Sequence, residues 1–161
     1  MANEISTRIE IAATPENVWA VLADLAGYSQ WHPVFRSVTG QLAVGSKLTI
    51  RTTVPPTGRA MTVKVKVVKV EPGTELRWVS KLLGLPISKR TFLLSPSDGG
   101  TLLVQAETYQ GLTNIFGGPG SVRRKFALIS RIQGTFESIN EAIREQAEGL
   151  RSTARNSTSP E

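Results

Sequence analysis

The chain has 161 residues, a length that suits one compact domain able to bury about two-thirds of its unfolded surface. It contains no cysteine, which excludes disulfides, thiolate metal ligands and a cysteine nucleophile, and fits a reducing cytoplasm. The formal charge of +6 invites phosphate-bearing partners, but the basic residues are scattered and no nucleic-acid motif is present, so a weak contact with an anionic surface is the most it implies.

Residues Met1 to Glu10 lack the unbroken apolar run of a signal peptide, and no segment approaches the ~20 apolar residues of a membrane-spanning helix, so a soluble protein is expected. Ile5, Thr7, Ile9 and Ile11 alternate with Ser6, Arg8 and Glu10, the period of a half-buried strand. Thr14 then offers an N-cap, Pro15 suits the first helical position and Glu16 complements the dipole. Val18, Val21, Leu22 and Leu25 share one face of this helix, and Gly27 is placed to stop it. A second short helix over Tyr28 to Trp31 precedes Pro33.

From Val34 to Gln110 the pattern predicts about six strands. Leu48 and Ile50 alternate with Thr49 and Arg51 before the loop signal Pro55-Pro56-Thr57-Gly58. Met61, Val63, Val65 and Val67 then oppose Thr62, Lys64 and Lys66, and Val67-Val68 breaks the alternation as a bulge would. After the Pro72-Gly73 turn come Leu76, Trp78 and Ser80, then Arg90, Phe92 and Leu94, then a Ser97-Asp98-Gly99-Gly100 turn into Thr101 to Gln110.

A glycine-rich loop with Gly117, Gly118, Pro119 and Gly120 leads to Ser121, where a long helix is predicted to run to Gly149. Phe126, Ile129, Ile132, Phe136, Ile139, Ile143, Ala147 and Leu150 form its apolar stripe. Gly134 inside the stripe calls for a kink or for close backbone packing. The domain is expected to occupy 1–150, with the polar segment 151–161 a disordered tail.

The order of elements, with Thr14-Pro15-Glu16-Asn17-Val18-Trp19, Leu25 to Pro33, Gly100-Thr101 and Glu107-Thr108-Tyr109-Gln110-Gly111-Leu112, resembles the START-like helix-grip superfamily. This SRPBCC group takes in polyketide cyclases and dehydrases, lipid-transfer domains and plant pollen allergens. The resemblance implies an α+β fold in which a curved antiparallel sheet of about seven strands wraps around a long C-terminal helix, with two short helices after the first strand. It also implies a cavity between sheet and helix.

Little in the chain suggests chemistry. His32 is the lone histidine, in a Trp-His-Pro turn where a hydrogen bond to backbone accounts for it. With no cysteine and no carboxylate pair beside it, no metal site is expected, and no phosphate cradle or other cofactor signal is visible. On the last strand Leu102, Val104 and Ala106 make the more apolar set, which would turn Glu107 to solvent. If Glu107 is instead buried, it becomes a candidate acid or base, and an inward Arg90 would need it, or an acidic ligand, as partner. Trp31, Phe35, Trp78, Phe92 and Phe126 could line a pocket, with Ile50 and Val65 on strands and Ile129 and Gln133 on the last helix, and core packing would account for the aromatic residues equally well. Binding or carriage of a small hydrophobic molecule such as a lipid, polyketide or isoprenoid-like compound is the leading expectation. The alternative is a cyclase- or dehydratase-like enzyme drawing on His32, Arg90, Glu107 and Tyr109. Nothing in the sequence fixes an oligomeric state.

Overall fold

The computed structural model describes residues 3–54, 58–82, 85–110 and 121–157. Strand β1 (Asn3–Ile11) leads into helix α1 (Pro15–Ala23), a 3-10 turn (Leu25–Gly27) and helix α2 (Tyr28–Trp31). Six strands follow: β2 (Phe35–Thr39), β3 (Lys47–Val54), β4 (Arg59–Glu71), β5 (Glu75–Leu82), β6 (Leu85–Ser97) and β7 (Gly100–Tyr109). Helix α3 (Ser121–Ser157) closes the chain. The seven strands form one antiparallel sheet in the order β1-β7-β6-β5-β4-β3-β2. It is a curled half-barrel gripping a helix, the α+β architecture expected.

Local chemistry explains the early elements. The Thr14 hydroxyl accepts a hydrogen bond from the Asn17 amide, and Pro15 opens α1 where its missing N–H costs nothing. The helix stops at Ala23, four residues before the glycine expected to end it. Asp24 intervenes: its carboxylate accepts from the Gly27 amide and holds Leu25 to Gly27 in a tighter turn. The predicted bulge is present as a register shift between Val67 and Lys69.

Among the described residues, the contacts that fasten helix α3 fall from Phe136 onward. Phe136, Ile139, Ile143 and Ala147 are buried, and the helix packs on β1 and α1. Polar ties reinforce that half. The Ala12 amide donates to Glu148 Oε1 at 3.0 Å, Arg151 Nη1 donates to the Ala12 carbonyl at 2.9 Å, and Asn140 Nδ2 donates to Thr7 Oγ1 at 2.9 Å. Arg151 therefore belongs to the packed structure, and α3 carries on to Ser157 where the polar tail was expected to be disordered; residues 158–161 lie outside the described residues. Ser152 and Thr153 follow the helix by returning hydroxyl bonds to the carbonyls four residues back. Leu150, read as the end of the stripe, is 45% exposed.

Gly134 does not serve close packing: a Cβ there would meet nothing within 4 Å, and the residue is exposed. Gly134→Ala is therefore expected to stabilise the protein by roughly 0.5–1 kcal/mol, read as a higher midpoint in chemical denaturation at unchanged m.

Candidate functional site

Between the concave sheet face and the N-terminal half of α3 lies an open cavity of about 540 Å³. The clamping of α3 at its other half accounts for it, since the described residues from Ala127 to Thr135 bridge over the sheet with Ile129 and Ile132 only half-buried. The walls are mostly apolar, with Phe35, Ile50, Val65, Trp78, Ile132 and Phe136 among them.

One polar cluster interrupts these walls, and strand register assembles it. Arg90 on β6 is the direct partner of Glu107 on β7 and of Trp78 on β5, while Glu107 pairs with Ile5 on β1. Paired residues project to the same face, so the row turns inward together. This overturns the placement of Glu107 in solvent. Ile5, Thr7, Ile9 and Ile11 face the core, and they pair in order with Glu107, Gln105, Leu103 and Thr101. The inward face of β7 is thus dictated by its neighbour despite the more apolar character of Leu102, Val104 and Ala106.

Arg90 and Glu107 form a buried ion pair, their side chains 12% and 9% exposed. Arg90 donates from Nε at 3.0 Å and from Nη2 at 2.6 Å, both to Glu107 Oε2. The guanidinium lies over the Phe136 ring at 4.8 Å and over the Phe35 ring at 5.6 Å. Its Nη1 is buried without a hydrogen-bond partner. Tyr109 sits beside the pair, and burial first, then the Glu107 charge, pushes its phenol well above the ordinary tyrosine range, so it stays protonated.

His32 stands behind this wall. Its Nδ1 accepts from the Phe35 amide at 2.9 Å and the Val34 amide at 3.2 Å, and its ring stacks on Phe35 at 4.0 Å. It is a turn residue that positions a pocket aromatic. Burial, aided by the Arg90 charge, lowers its pKa from 6.5 to about 3. Above about pH 6.5 both folded and unfolded chains hold it neutral. Between that value and about 3 only the unfolded chain takes the proton, so stability falls as pH falls, by about 1.4 kcal/mol per pH unit from this group. His32→Asn keeps an acceptor for the two amides and removes the titration. Urea unfolding from pH 7 to pH 4 should show the variant's stability less pH-dependent by one proton.

Of the other residues singled out from sequence, Phe35, Ile50, Val65, Trp78, Arg90, Glu107 and Tyr109 line the cavity. Trp31, His32, Phe92, Ile129 and Gln133 do not. Trp31 packs on Tyr28 at 4.8 Å. Phe92, two residues beyond Arg90, is buried and meets Trp78 edge-on at 5.5 Å. Ile129 is half-buried against the core, and Gln133 faces solvent, where it donates to Glu137 at 3.4 Å. The Phe126 side chain and the 117–120 segment lie outside the described residues. Sequence reasoning missed Ser80 and Ser88, cross-strand partners on the wall, and treated Phe136 as plain core. The alternation Leu76, Trp78, Ser80 already carried the signal for the first. Among the described residues no cluster of ligating side chains could hold a metal, and no helix is long and apolar enough to cross a membrane.

A half-barrel gripping a helix over a pocket with one buried ion pair defines a START-like helix-grip protein. The chain belongs to the polyketide cyclase / dehydrase and lipid transport family, whose model matches residues 2–148. Among solved structures, the di-domain aromatase/cyclase StfQ of the steffimycin biosynthetic pathway aligns with a TM-score of 0.75 and 15% identity, over 94% of this chain and 52% of that one. This chain thus spans about half the length of StfQ. The Zhui aromatase/cyclase from a Streptomyces species aligns with a TM-score of 0.70 and 18% identity, over 92% and 94% of the two chains. A protein of unknown function from Staphylococcus aureus aligns with a TM-score of 0.72 and 12% identity, over 94% and 97%. A search of curated protein sequences gives no match. At these identities the structural likeness establishes the fold.

Proposed function

We propose that this protein binds and carries one small hydrophobic molecule between sheet and α3. The observation that supports the reading most is an apolar-walled cavity of about 540 Å³ beneath a helix whose buried contacts, among the described residues, fall from Phe136 onward. At about 30 Å³ per water-sized group the space suits a guest of roughly 18 non-hydrogen atoms. Removing ~300 Å² of apolar guest surface from water contributes at most about 7 kcal/mol before association costs, which makes about 10 μM the tightest affinity that this burial alone supports. At a hundredfold excess over Kd such a ligand stabilises the fold by about 2.7 kcal/mol, hence a Tm rise of roughly 5–10 °C. A panel of lipids, polyketide-like aromatics and isoprenoids read by thermal unfolding should contain such compounds. A panel in which none raises Tm contradicts the reading.

The Arg90, Glu107 and Tyr109 cluster on the cavity wall favours a second reading, an enzyme that folds a reactive chain in this pocket and moves one proton. The aromatase/cyclase names among the structural neighbours agree with it. His32 has no part in that scheme, since it does not reach the cavity. Unchanged turnover of a poly-keto substrate in both Glu107→Gln and Tyr109→Phe would exclude it.

A further inference from the structure

The sheet gathers charges that lie scattered along the sequence. Val63, Val65 and Val67 of β4 face the concave side, so Lys64 and Lys66 project from the convex side. The same alternation turns Lys47 and Arg51 of β3 and Lys89 of β6 outward. All five are exposed, and none of them forms an ion pair among the described residues. Strand register brings them together: Lys47 is the direct partner of Lys66, and only Val79 separates Lys66 from Lys89. At ~4.8 Å per strand, that row sets three lysines within roughly 15 Å. Like charges directly opposite each other destabilise a sheet, so folding alone does not favour the row.

The acidic residues lie elsewhere. Strands β3 to β6 carry only Glu71 and Glu75, and Lys69 and Arg77 neutralise them where β4 turns into β5. On the other side of the molecule α3 buries Phe136, Ile139 and Ile143 and exposes Glu137, Glu141 and Glu145, of which Glu141 pairs with Arg144. A cationic convex side opposite an acid-rich helix orients the molecule toward an extended anionic surface. Lysine supplies four of the five cations, and its ammonium on a flexible stem suits diffuse attraction better than fixed bidentate recognition. Their outward neighbours Thr49, Thr62, Val79 and Thr108 offer no ring on which a nucleobase could stack. Met61 and Ile87, 48% and 40% exposed beside the tips of the β3–β4 and β5–β6 hairpins, add apolar groups that lipid accepts and a phosphate backbone does not. We propose that the convex face of β3 to β6 docks on an anionic lipid bilayer. The choice of lipid as partner rests on the carriage reading above, since lipid is where an apolar guest accumulates.

The test uses the guest-free full chain and vesicles of phosphatidylcholine with about 30% phosphatidylglycerol, read by co-sedimentation at about 50 mM salt. The chain should bind these vesicles, leave pure phosphatidylcholine vesicles unbound, and release at about 0.5 M salt. One surface lysine contributes about fivefold to such an affinity, so Lys64→Gln with Lys66→Gln should weaken it about twenty-fivefold. Both side chains are exposed, so this variant reports docking and not folding. Arg8→Gln with Arg144→Gln removes the same number of charges, at the β1 edge of the sheet and on α3, and should change the affinity less than about threefold. Equal losses in the two double variants overturn the inference, because net charge and not this face then governs binding. Pure phosphatidylcholine bound as strongly as the mixed vesicles overturns it, and so does binding undiminished at high salt. A DNA duplex that displaces the protein from the vesicles at equal phosphate concentration overturns it as well, by making nucleic acid the preferred partner. Absence of vesicle binding sinks the docking surface alone, because guest binding is titrated separately without lipid.

Discussion

Replacing Glu107 with leucine should cost about 3 kcal/mol of unfolding free energy, while the double replacement Arg90→Met with Glu107→Leu should return the protein to within about 1 kcal/mol of the wild type. The asymmetry follows from burial. Arg90 and Glu107 are 12% and 9% exposed and exchange hydrogen bonds from two nitrogens, so removing the carboxylate strands a guanidinium between two aromatic rings. Removing both charges strands nothing and fills the same volume with methylenes. Urea denaturation of the three proteins checks this at equal m. A single variant as stable as the wild type would mean that the pair is solvated through the cavity and does not behave as buried.

Gly100→Ala should be comparably severe, about 3 kcal/mol. Gly100 has φ +145°, in a region that L-residues rarely adopt, and a Cβ there would come within 2.3 Å of the Ile11 carbonyl oxygen and 2.8 Å of Ala13 backbone atoms. All of these contacts are main chain at the end of β1, so relief requires the β1–β7 ladder to shift. The next residue depends on that ladder, because Thr101 Oγ1 donates to the Ala13 carbonyl at 2.7 Å. Thermal unfolding separates this glycine from Gly134, whose alanine variant should gain stability.

The two glycines show what the sequence could convey. Gly100 sits in a Ser-Asp-Gly-Gly turn that was legible as a turn, while its close approach to the Ile11 and Ala13 main chain shows only in the fold. Gly134 interrupts an apolar stripe, and only the packed structure shows that its own position lies on the outer face of α3. The strand-rich stretch from Val34 to Gln110 and the bulge at Val67 followed from periodicities that burial on one face enforces. Glu107 did not, because β7 read alone presents its more apolar set outward, and the decision belongs to pairing with β1, where its partner Ile5 is 102 residues away in sequence. The β6–β7 ladder places Arg90 opposite Glu107, one of the two partners that an inward arginine called for. Pocket membership was harder still. Phe35 and Trp31 are both aromatic residues flanking His32, yet only the first reaches the cavity, because the His32 ring and its two backbone bonds turn the chain between them.

The account depends on the space beneath α3 accepting a guest. Ser80 lies on the wall opposite Val65 and beside Ser88, where a large side chain projects into the opening and displaces nothing packed. Fluorescence titration of wild type and Ser80→Trp with a neutral apolar fluorophore of about 18 non-hydrogen atoms tests the claim most directly. Saturable one-to-one binding by the wild type with a Kd of about 10 μM or weaker, lost in a tryptophan variant that unfolds at the same or a higher temperature, is the expected result. Equal binding by both proteins, or binding by neither, contradicts it.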